Sequence, residues 1–193
     1  MILQTAVWYA AKRITALEDI LDTIEKQQYV SPEALTKHFW DVFVVDALLG
    51  NFDRHNGNWG FLFNECTGES GLAPVYDCGS CLLPQDDEKI MREVLTNEDA
   101  LHARIYQFPT SAIRQYDRKI NYRDFLMKAE YEGCNEAVRR IVPRIDMNVI
   151  SEFLDETPYL SDLQKAFYNH YIKARFDLIL APAFDMAVSL KQI

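Results

Sequence analysis

The stretch PEALTKHFWDVFVVDALLG at residues 32–50 decides the fold, because it predicts a strongly apolar helix with a signal at each end. Ser31 is a suitable N-cap, Pro32 suits the first helical position, and Gly50 occupies the position of a C-terminal cap. The apolar side chains point to nearly every side of this helix: Phe39, Trp40, Val42, Phe43, Val45, Leu48 and Leu49. Such a helix is buried, so we predict a central helix around which the rest of the chain packs.

A polar loop and a short hairpin follow this helix. Residues 51–58 are polar, WGFLF at 59–63 and LAPVY at 72–76 predict two strands, and the turn between them is rich in Asn, Gly and Ser. Pro74 indicates that the second strand is short or lies at an edge. Six of the seven glycines fall between residues 50 and 79, so the unusual backbone of the chain is expected there.

The other segments have helical periodicity. Helices are predicted over 14–28, 86–95, 98–106, 121–131, 134–142, 147–154 and 162–180. Ser161 and Gln164 have the spacing of a capping box, and the last helix is expected to end near Pro182. The sequence therefore predicts an α+β fold that is mostly α-helical, with one small β-hairpin, as a single domain over 1–193.

Composition and charge exclude several classes of protein. The 193 residues are 49% hydrophobic and 25% charged, which is typical of one globular domain. The net charge of −9 argues against nucleic acid and anionic membrane surfaces as partners. The opening MILQTAVWYAAKR has its first basic residue at Lys12, so we predict neither a signal peptide nor a membrane span. We expect a cytoplasmic protein with four free thiols.

Two carboxylates and an amide converge on one end of the hairpin. Asp53 and Asn58 lie five residues apart in the polar loop, and Asp77 follows the second predicted strand. Phosphoryl transfer needs such a set, because one carboxylate orients the attacking hydroxyl while an amide oxygen and a second carboxylate hold Mg²⁺ against ATP phosphates. His55 could donate a hydrogen bond to the transferred phosphate. The alternative is a polar loop whose side chains only cap turns.

These residues resemble a known family. GNFDRHNGNWGFL at 50–62, followed by LAPVYDCGS at 72–80, is similar to the catalytic and metal-binding segments of HipA-like serine/threonine kinases. The resemblance implies a kinase-like C-terminal lobe in which the hairpin carries the metal-binding Asp. It implies Asp53 as the catalytic base, Asn58 and Asp77 as Mg²⁺ ligands that also bind the cofactor ATP, and a Ser/Thr hydroxyl of a protein, or of the chain itself, as acceptor.

The sequence departs from that family before the polar loop. In the family a β-rich N-terminal lobe, with a phosphate-covering loop and a lysine on a strand, comes first. No glycine precedes Gly50, and Lys12, Lys26 and Lys37 lie in helical patterns. We therefore expect the N-terminal ATP-binding lobe to be absent, which leaves open a truncated, split or degenerate kinase that is inactive alone.

Two other functions stay open at this stage. DRHNGN at 53–58 is also similar to the loop of phosphoinositide 3-/4-kinases, which indicates a lipid or small-molecule kinase, although the acidic charge disfavours phosphoinositide substrates. The second is a non-catalytic regulatory or toxin–antitoxin-type binding module. The corresponding partners would be an N-terminal lobe, an antitoxin-like protein, or a second copy bound through an exposed apolar surface.

The remaining chemical motifs favour ordinary structural roles. Cys78 and Cys81 form a C-x-x-C, but a second pair for zinc and the strand–helix context of a redox site are both missing. The acidic run at 85–88 is expected to begin a helix. Histidines without partners at metal spacing are expected on helix surfaces: His38, His102 and His170.

Overall fold

The fold is built around the predicted central helix. The computed structural model describes residues 14–191 and, for residues 4–6, the backbone. The central helix, α2, runs from Pro32 to Leu49, as predicted. The Ser31 side chain accepts a hydrogen bond from the Ala34 N–H at 3.4 Å, and Gly50 ends the helix in the left-handed conformation with φ 67°. Both capping predictions are confirmed.

The described residues form helices with two small sheets. The helices besides α2 are α1 Leu17–Lys26, α3 Glu88–Thr96, α4 Glu98–Tyr106, α5 Tyr122–Lys128, α6 Glu132–Ile141, α7 Met147–Glu156, α8 Asp162–Arg175 and α9 Ala181–Leu190, and short 3₁₀ turns cover Asn56–Asn58 and Val142–Arg144. The strands are β1 Gln4–Ala6, β2 Phe61–Phe63, β3 Ser70–Leu72, β4 Arg114–Gln115 and β5 Arg118–Lys119. Among these helices, none is long and apolar enough to cross a membrane.

The core surrounds α2, which packs against α1, α6 and α8. Its Trp40 and Phe43 rings meet Phe125 of α5 at centroid distances of 6.0 and 5.2 Å, and Tyr131 stacks on Phe125 at 5.4 Å. Aromatic pairs at these distances add to the free energy gained by burying their surface. This packing fixes α2 firmly, so the loop that leaves its C-terminal end starts from a rigid point.

The sheets are larger than the sequence predicted. Strands β2 and β3 form the expected antiparallel hairpin, with Leu62 opposite Gly71. β1 pairs with the other edge of β2, so a strand lies before residue 50, where the sequence showed helical patterns alone. The two-residue strands β4 and β5 form a second hairpin. Strands of two or three residues are too short to show an alternating pattern in the sequence.

The last predicted helix differs most from its prediction. The helix predicted over 162–180 begins with the confirmed capping box of Ser161 and Gln164, but α8 gives way at Phe176–Leu180 to one π-helical turn and then to α9. Pro182 lies in the first turn of α9, where a missing N–H costs little, so the proline begins a helix rather than ending one.

The acidic run before α3 has two different roles. Asp87 is the N-cap of α3 and accepts a hydrogen bond from the Ile90 N–H at 2.9 Å, as the sequence predicted for this run. Asp86 is instead buried, and its carboxylate pairs with the Arg104 guanidinium at 2.9 and 3.0 Å. One of the predicted helix-start acids is therefore part of a partly buried ion pair. The prediction for Lys12 lies outside the described residues.

Candidate active site

The polar loop at 51–58 begins at a glycine that no other residue could replace without strain. Gly50 has φ 67°, and a Cβ atom there would lie 2.1 Å from the Tyr171 Oη and 2.7 Å from the Pro109 Cγ. Both the left-handed backbone and the lack of space therefore require glycine. Tyr171 belongs to α8, so the loop leaves α2 in direct contact with a late helix of the chain.

Asn51 ties the start of the loop to the core. This residue has no exposed surface. Its Nδ2 donates to the Asp46 Oδ1 at 2.9 Å, its Oδ1 accepts from the Asp53 N–H at 3.1 Å, and its carbonyl accepts from the Tyr122 Oη at 2.5 Å. A buried residue with these bonds is a structural support, and it fixes the backbone of Asp53.

A buried ion pair holds the middle of the loop. The side chains of Arg54 and Asp46 are 5% and 4% exposed, and the guanidinium binds both carboxylate oxygens, at 2.9 and 3.0 Å. Arg54 Nη1 also donates to the carbonyls of Asn58 at 3.1 Å and Tyr76 at 2.7 Å. One side chain therefore joins α2, the polar loop and the segment that leads to Asp77.

The electrostatics of this pair keep it charged. Burial acts to lower the pKa of Arg54, but the hydrogen bonds and charge of Asp46 outweigh burial and raise it. Burial raises the pKa of the Asp46 carboxyl, and the bonds from Arg54 and Asn51 act against that rise. Because an arginine does not lose its proton in proteins, the bidentate pair persists as an ion pair.

Asn58 and Asp77 lie in direct contact. The Asn58 side chain is 2% exposed; its Oδ1 accepts from the His55 backbone N–H at 3.0 Å, and its Nδ2 donates to the Asp77 Oδ2. These two residues are 19 positions apart in the chain. The structure therefore brings together the two residues that the sequence predicted to share a metal ion.

His55 closes the same loop. Its Nδ1 accepts a hydrogen bond from the Gly57 N–H at 3.0 Å, and a Cβ atom at Gly57 would lie 2.9 Å from the His55 Cε1. An accepting Nδ1 carries no proton, so in the neutral ring the proton is on Nε2. His55 therefore has a structural role through Nδ1, while Nε2 is its donor nitrogen.

Asp77 is not at the end of a strand. β3 ends at Leu72, and Ala73 makes the last bond of the ladder, from its N–H to the Gly60 carbonyl at 2.9 Å. The predicted strand at 72–76 is interrupted because Pro74 has no N–H to continue the pairing. Asp77 lies in the following loop, exposed and left-handed with φ 57°, a conformation that Asp tolerates.

The oxygen atoms at this place suit Mg²⁺ by type. Within residues 14–191 no group of three or more His, Cys, Asp or Glu side chains could hold a metal. Mg²⁺ does not need such a cage, because it keeps several waters and binds one or two protein oxygens together with phosphates. Asp77 offers an exposed carboxylate, and the Asn58 carbonyl oxygen has a second lone pair besides the one facing His55.

Sequence reasoning missed the buried residues that support the loop. Asp46 lies within the otherwise apolar run at 42–49 of α2, and this was the available signal, whereas Arg175 lies close to Lys173 and Asp177 in the sequence and has no such signal. Arg175 has no exposed surface; its Nε donates to the Ala47 carbonyl at 2.7 Å, and its guanidinium lies 5.5 and 5.7 Å from the ring centres of Tyr171 and Tyr122. A cation at the C-terminal end of α2 is favourable because the helix dipole is negative there.

Comparison with known proteins gives the family. Over 177 residues, 91% of its length, the chain is 47% identical to the serine/threonine-protein kinase CtkA of Helicobacter pylori strain J99, of which it spans 54%. It also matches the crystal structure of a Helicobacter pylori proinflammatory kinase CtkA, with a TM-score of 0.90 and 47% identity over 92% of this chain and 65% of that one. The chain thus spans about half the length of the curated relative. Residues 2–149 match the HipA-like C-terminal domain, and the chain therefore belongs to that family.

Proposed function

We propose that this chain forms the catalytic C-terminal lobe of an ATP- and Mg²⁺-dependent serine/threonine protein kinase. The observation that carries the proposal is the contact between the Asn58 amide and the Asp77 carboxylate at the end of a loop that also contains Asp53. An amide and a carboxylate held side by side next to a third acid are the parts that phosphoryl transfer uses. The 47% identity to a serine/threonine-protein kinase supports this choice.

The proposed roles follow from the surroundings of each side chain. Asp53, half-buried and with its backbone fixed by Asn51, orients the acceptor hydroxyl and takes up its proton. His55 donates from Nε2 to a phosphate oxygen, since its Nδ1 is committed to Gly57. Asn58 and Asp77 hold Mg²⁺, which would neutralise charge on the ATP phosphates when bound.

The buried network contributes to the proposed reaction by positioning. Arg54 fixes the carbonyls on both sides of the site, at Asn58 and Tyr76, so the two ligand residues are brought together before any nucleotide arrives. A preorganised site does not have to spend binding energy on ordering its own loops. The proposed catalysis is therefore positioning together with electrostatic stabilisation.

The alternatives are less well supported. The relative is a protein kinase by name, which disfavours a lipid or small-molecule kinase, and the intact contact of Asn58 with Asp77 disfavours a module that has lost its site. The absence of an N-terminal ATP-binding lobe, the single domain over 1–193 and a cytoplasmic location stay predictions. A protein substrate or the chain itself is the proposed acceptor.

A partner is proposed at one apolar surface. Val45 of α2 and Val75 of the loop after β3 are 39% and 49% exposed and line one cleft of about 260 Å³ with Val42 and Leu49. An N-terminal lobe, an antitoxin-like protein or a second copy would cover this cleft. Light scattering over a range of concentrations tests the second copy, and a constant monomer mass would contradict it.

Titration calorimetry with Mg·ATP tests the function. We expect binding by the full chain, loss of most of that binding in Asp77→Ala, and no change in Asp185→Ala, which removes an exposed acid of α9 as a matched control. Binding that needs no Mg²⁺, or that is equal in the two variants, would contradict the proposed metal site. No binding by the unaltered chain would contradict the proposal that this lobe assembles a nucleotide site.

A further inference from the structure

The two cysteines after Asp77 lie at the ends of one tight turn. The Cys78 carbonyl accepts a hydrogen bond from the Cys81 N–H at 3.0 Å. A bond between residues i and i+3 defines a β-turn, whose end Cα atoms are less than about 7 Å apart. A disulfide needs a Cα separation of about 4.4–6.8 Å, so the backbone of this turn is compatible with one.

The two thiols differ in their surroundings. All four cysteines of the chain are free. Cys78 is exposed while Cys81 is half-buried, and burial raises the pKa of Cys81 to about 12. An oxidant in solution therefore reaches Cys78 first, with Cys81 beside it to complete a disulfide.

The turn is connected to the candidate active site at several points. Cys78 follows Asp77 directly, and the Arg54 Nη2 donates to the Cys78 Sγ at 3.7 Å. The Ser80 carbonyl accepts from the Phe52 N–H at 3.4 Å, and the Leu82 N–H donates to the Leu49 carbonyl at 2.8 Å. A covalent change within the turn would therefore act on the loop that carries Asp77.

The backbone around the turn is strained. Asp77, Leu82 and Leu83 all have left-handed backbones, with φ of 57°, 59° and 54°. Leucine rarely adopts this conformation, and residues of this kind cluster where a segment switches or binds. The turn is not at the start of a helix, so the pair lacks the setting of a thioredoxin-like catalyst and is better described as the target of oxidation.

We propose that Cys78 and Cys81 form an oxidisable dithiol that hydrogen peroxide converts to an intramolecular disulfide. The Cys78 sulfur attacks one peroxide oxygen, the O–O bond breaks, and water leaves with the thiol proton, which gives a sulfenic acid. The Cys81 sulfur then forms the S–S bond and displaces the sulfenic hydroxyl, which leaves as a second water with the Cys81 proton. The net reaction converts two thiols and one peroxide into a disulfide and two waters.

The expected consequence rests on the proposed function. The disulfide draws the Cys78 sulfur, which accepts a hydrogen bond from Arg54, towards Cys81 and so disturbs the turn next to Asp77. Changes in groups that orient metal ligands typically cost about tenfold or more in metal affinity, so the oxidised chain should bind Mg·ATP about tenfold more weakly.

Peptide mapping tests the disulfide. The full chain carrying Cys66→Ser, which removes the other exposed thiol, is reduced, treated with hydrogen peroxide and then alkylated. Cleavage before aspartate releases residues 77–85, which contain both cysteines of the pair. We expect this fragment to lose two hydrogens and take up no alkylating agent. The matched variant with Cys81→Ser as well should instead give a sulfenic acid at Cys78 that a dimedone-type reagent traps.

Two mapping results would contradict the proposed disulfide between Cys78 and Cys81. Two alkylated thiols in the fragment, or a sulfinic acid at Cys78 with Cys81 still alkylated, would overturn the proposal of an oxidisable dithiol.

Calorimetry with Mg·ATP on the reduced and the oxidised chain separates this proposal from the proposed function. A disulfide in a chain that binds no Mg·ATP when reduced would overturn the proposed function and uphold the dithiol, while equal binding in both states would overturn the coupling to the metal site.

Discussion

The two segments that meet at the candidate active site are held in opposite ways. Residues 51–58 rest on buried polar side chains, those of Asp46, Asn51, Arg54 and Asn58. Residues 74–80, which carry Asp77 and Cys78, are exposed or half-buried. The proposed base and the proposed amide ligand are therefore held by buried side chains, whereas the proposed second ligand lies on an exposed segment that Arg54 holds at the Tyr76 carbonyl.

The largest expected effect comes from breaking the support of the fixed segment. Arg54→Met leaves Asp46 buried without a cation, and breaking a buried ion pair in this way costs about 3 kcal/mol or more of the free energy of unfolding. Urea denaturation measures this loss of unfolding free energy. The matched control is Arg92→Met, which removes an exposed pair with Glu88 and should leave the unfolding midpoint unchanged. Equal midpoints for the two variants would show that the ion pair does not hold the loop.

Asp53→Asn tests whether residues 51–58 contribute a proton acceptor as well as stability. The amide keeps the shape of the side chain but cannot take up a proton, so phosphotransfer should fall about 10²- to 10⁴-fold. The thermal midpoint should change little, because the amide keeps the size of the side chain and the backbone N–H of residue 53 still donates to Asn51. Phosphotransfer from labelled ATP and a thermal melt measure the two effects. Unchanged phosphotransfer would rule out Asp53 as the base.

Gly50 tests how tightly the start of the fixed segment is packed. Gly50→Ala places a Cβ against Tyr171 and forces a left-handed alanine, which costs about 1–2 kcal/mol for the backbone alone. Gly68→Ala is the matched control, since Gly68 has φ 73° and no atom of the described residues lies within 4 Å of the added Cβ. Urea denaturation measures the loss of unfolding free energy in each variant. The difference between the two losses is the cost of the contact between the added Cβ and its neighbours at Gly50.

Adding Tyr171→Phe to Gly50→Ala should restore part of that stability. The Tyr171 hydroxyl is the nearest atom to the added Cβ and is buried without a hydrogen-bond partner among the described residues, so its removal costs little by itself. No recovery in the double variant would mean that the backbone conformation, rather than the contact, dominates.

The smallest effect is expected on the exposed segment at 74–80. The Tyr76 hydroxyl donates to the Gly57 carbonyl at 3.2 Å on the surface. Tyr76→Phe removes this one neutral bond and should cost about 0.5 kcal/mol in urea denaturation. A loss as large as that of Arg54→Met would show that the segment is as firmly fixed as residues 51–58, and the contrast between them would fail.

The sequence predicted the elements that have strong local signals. The cap of α2, its left-handed end and the start of α8 each follow from side chains next to one another in the chain. The site residues were predictable for the same reason, because Asp53 and Asn58 share a loop, and the structure places Asn58 against Asp77. Their catalytic and metal-binding roles stay predictions.

What the sequence could not predict depends on distant contacts. The bond from the Tyr122 hydroxyl to the Asn51 carbonyl joins residues 71 positions apart, and no local pattern indicates it. The π-helical turn at 176–180 has the same periodic apolar residues as an ordinary helix, so only packing decides between them. The short strands β4 and β5 depend on pairing rather than on alternation.

The buried Arg175 has a consequence for the order of events during synthesis. Its bond to the Ala47 carbonyl connects residues 128 positions apart, and Tyr171 beside it contacts the start of the loop at Gly50. A chain made from its N-terminus on the ribosome carries residues 50–58 for most of its synthesis before α8 exists. The contact with Tyr171 forms only when nearly all of the described chain has emerged, so nascent fragments that end before α8 should contain residues 51–58 without that part of their support.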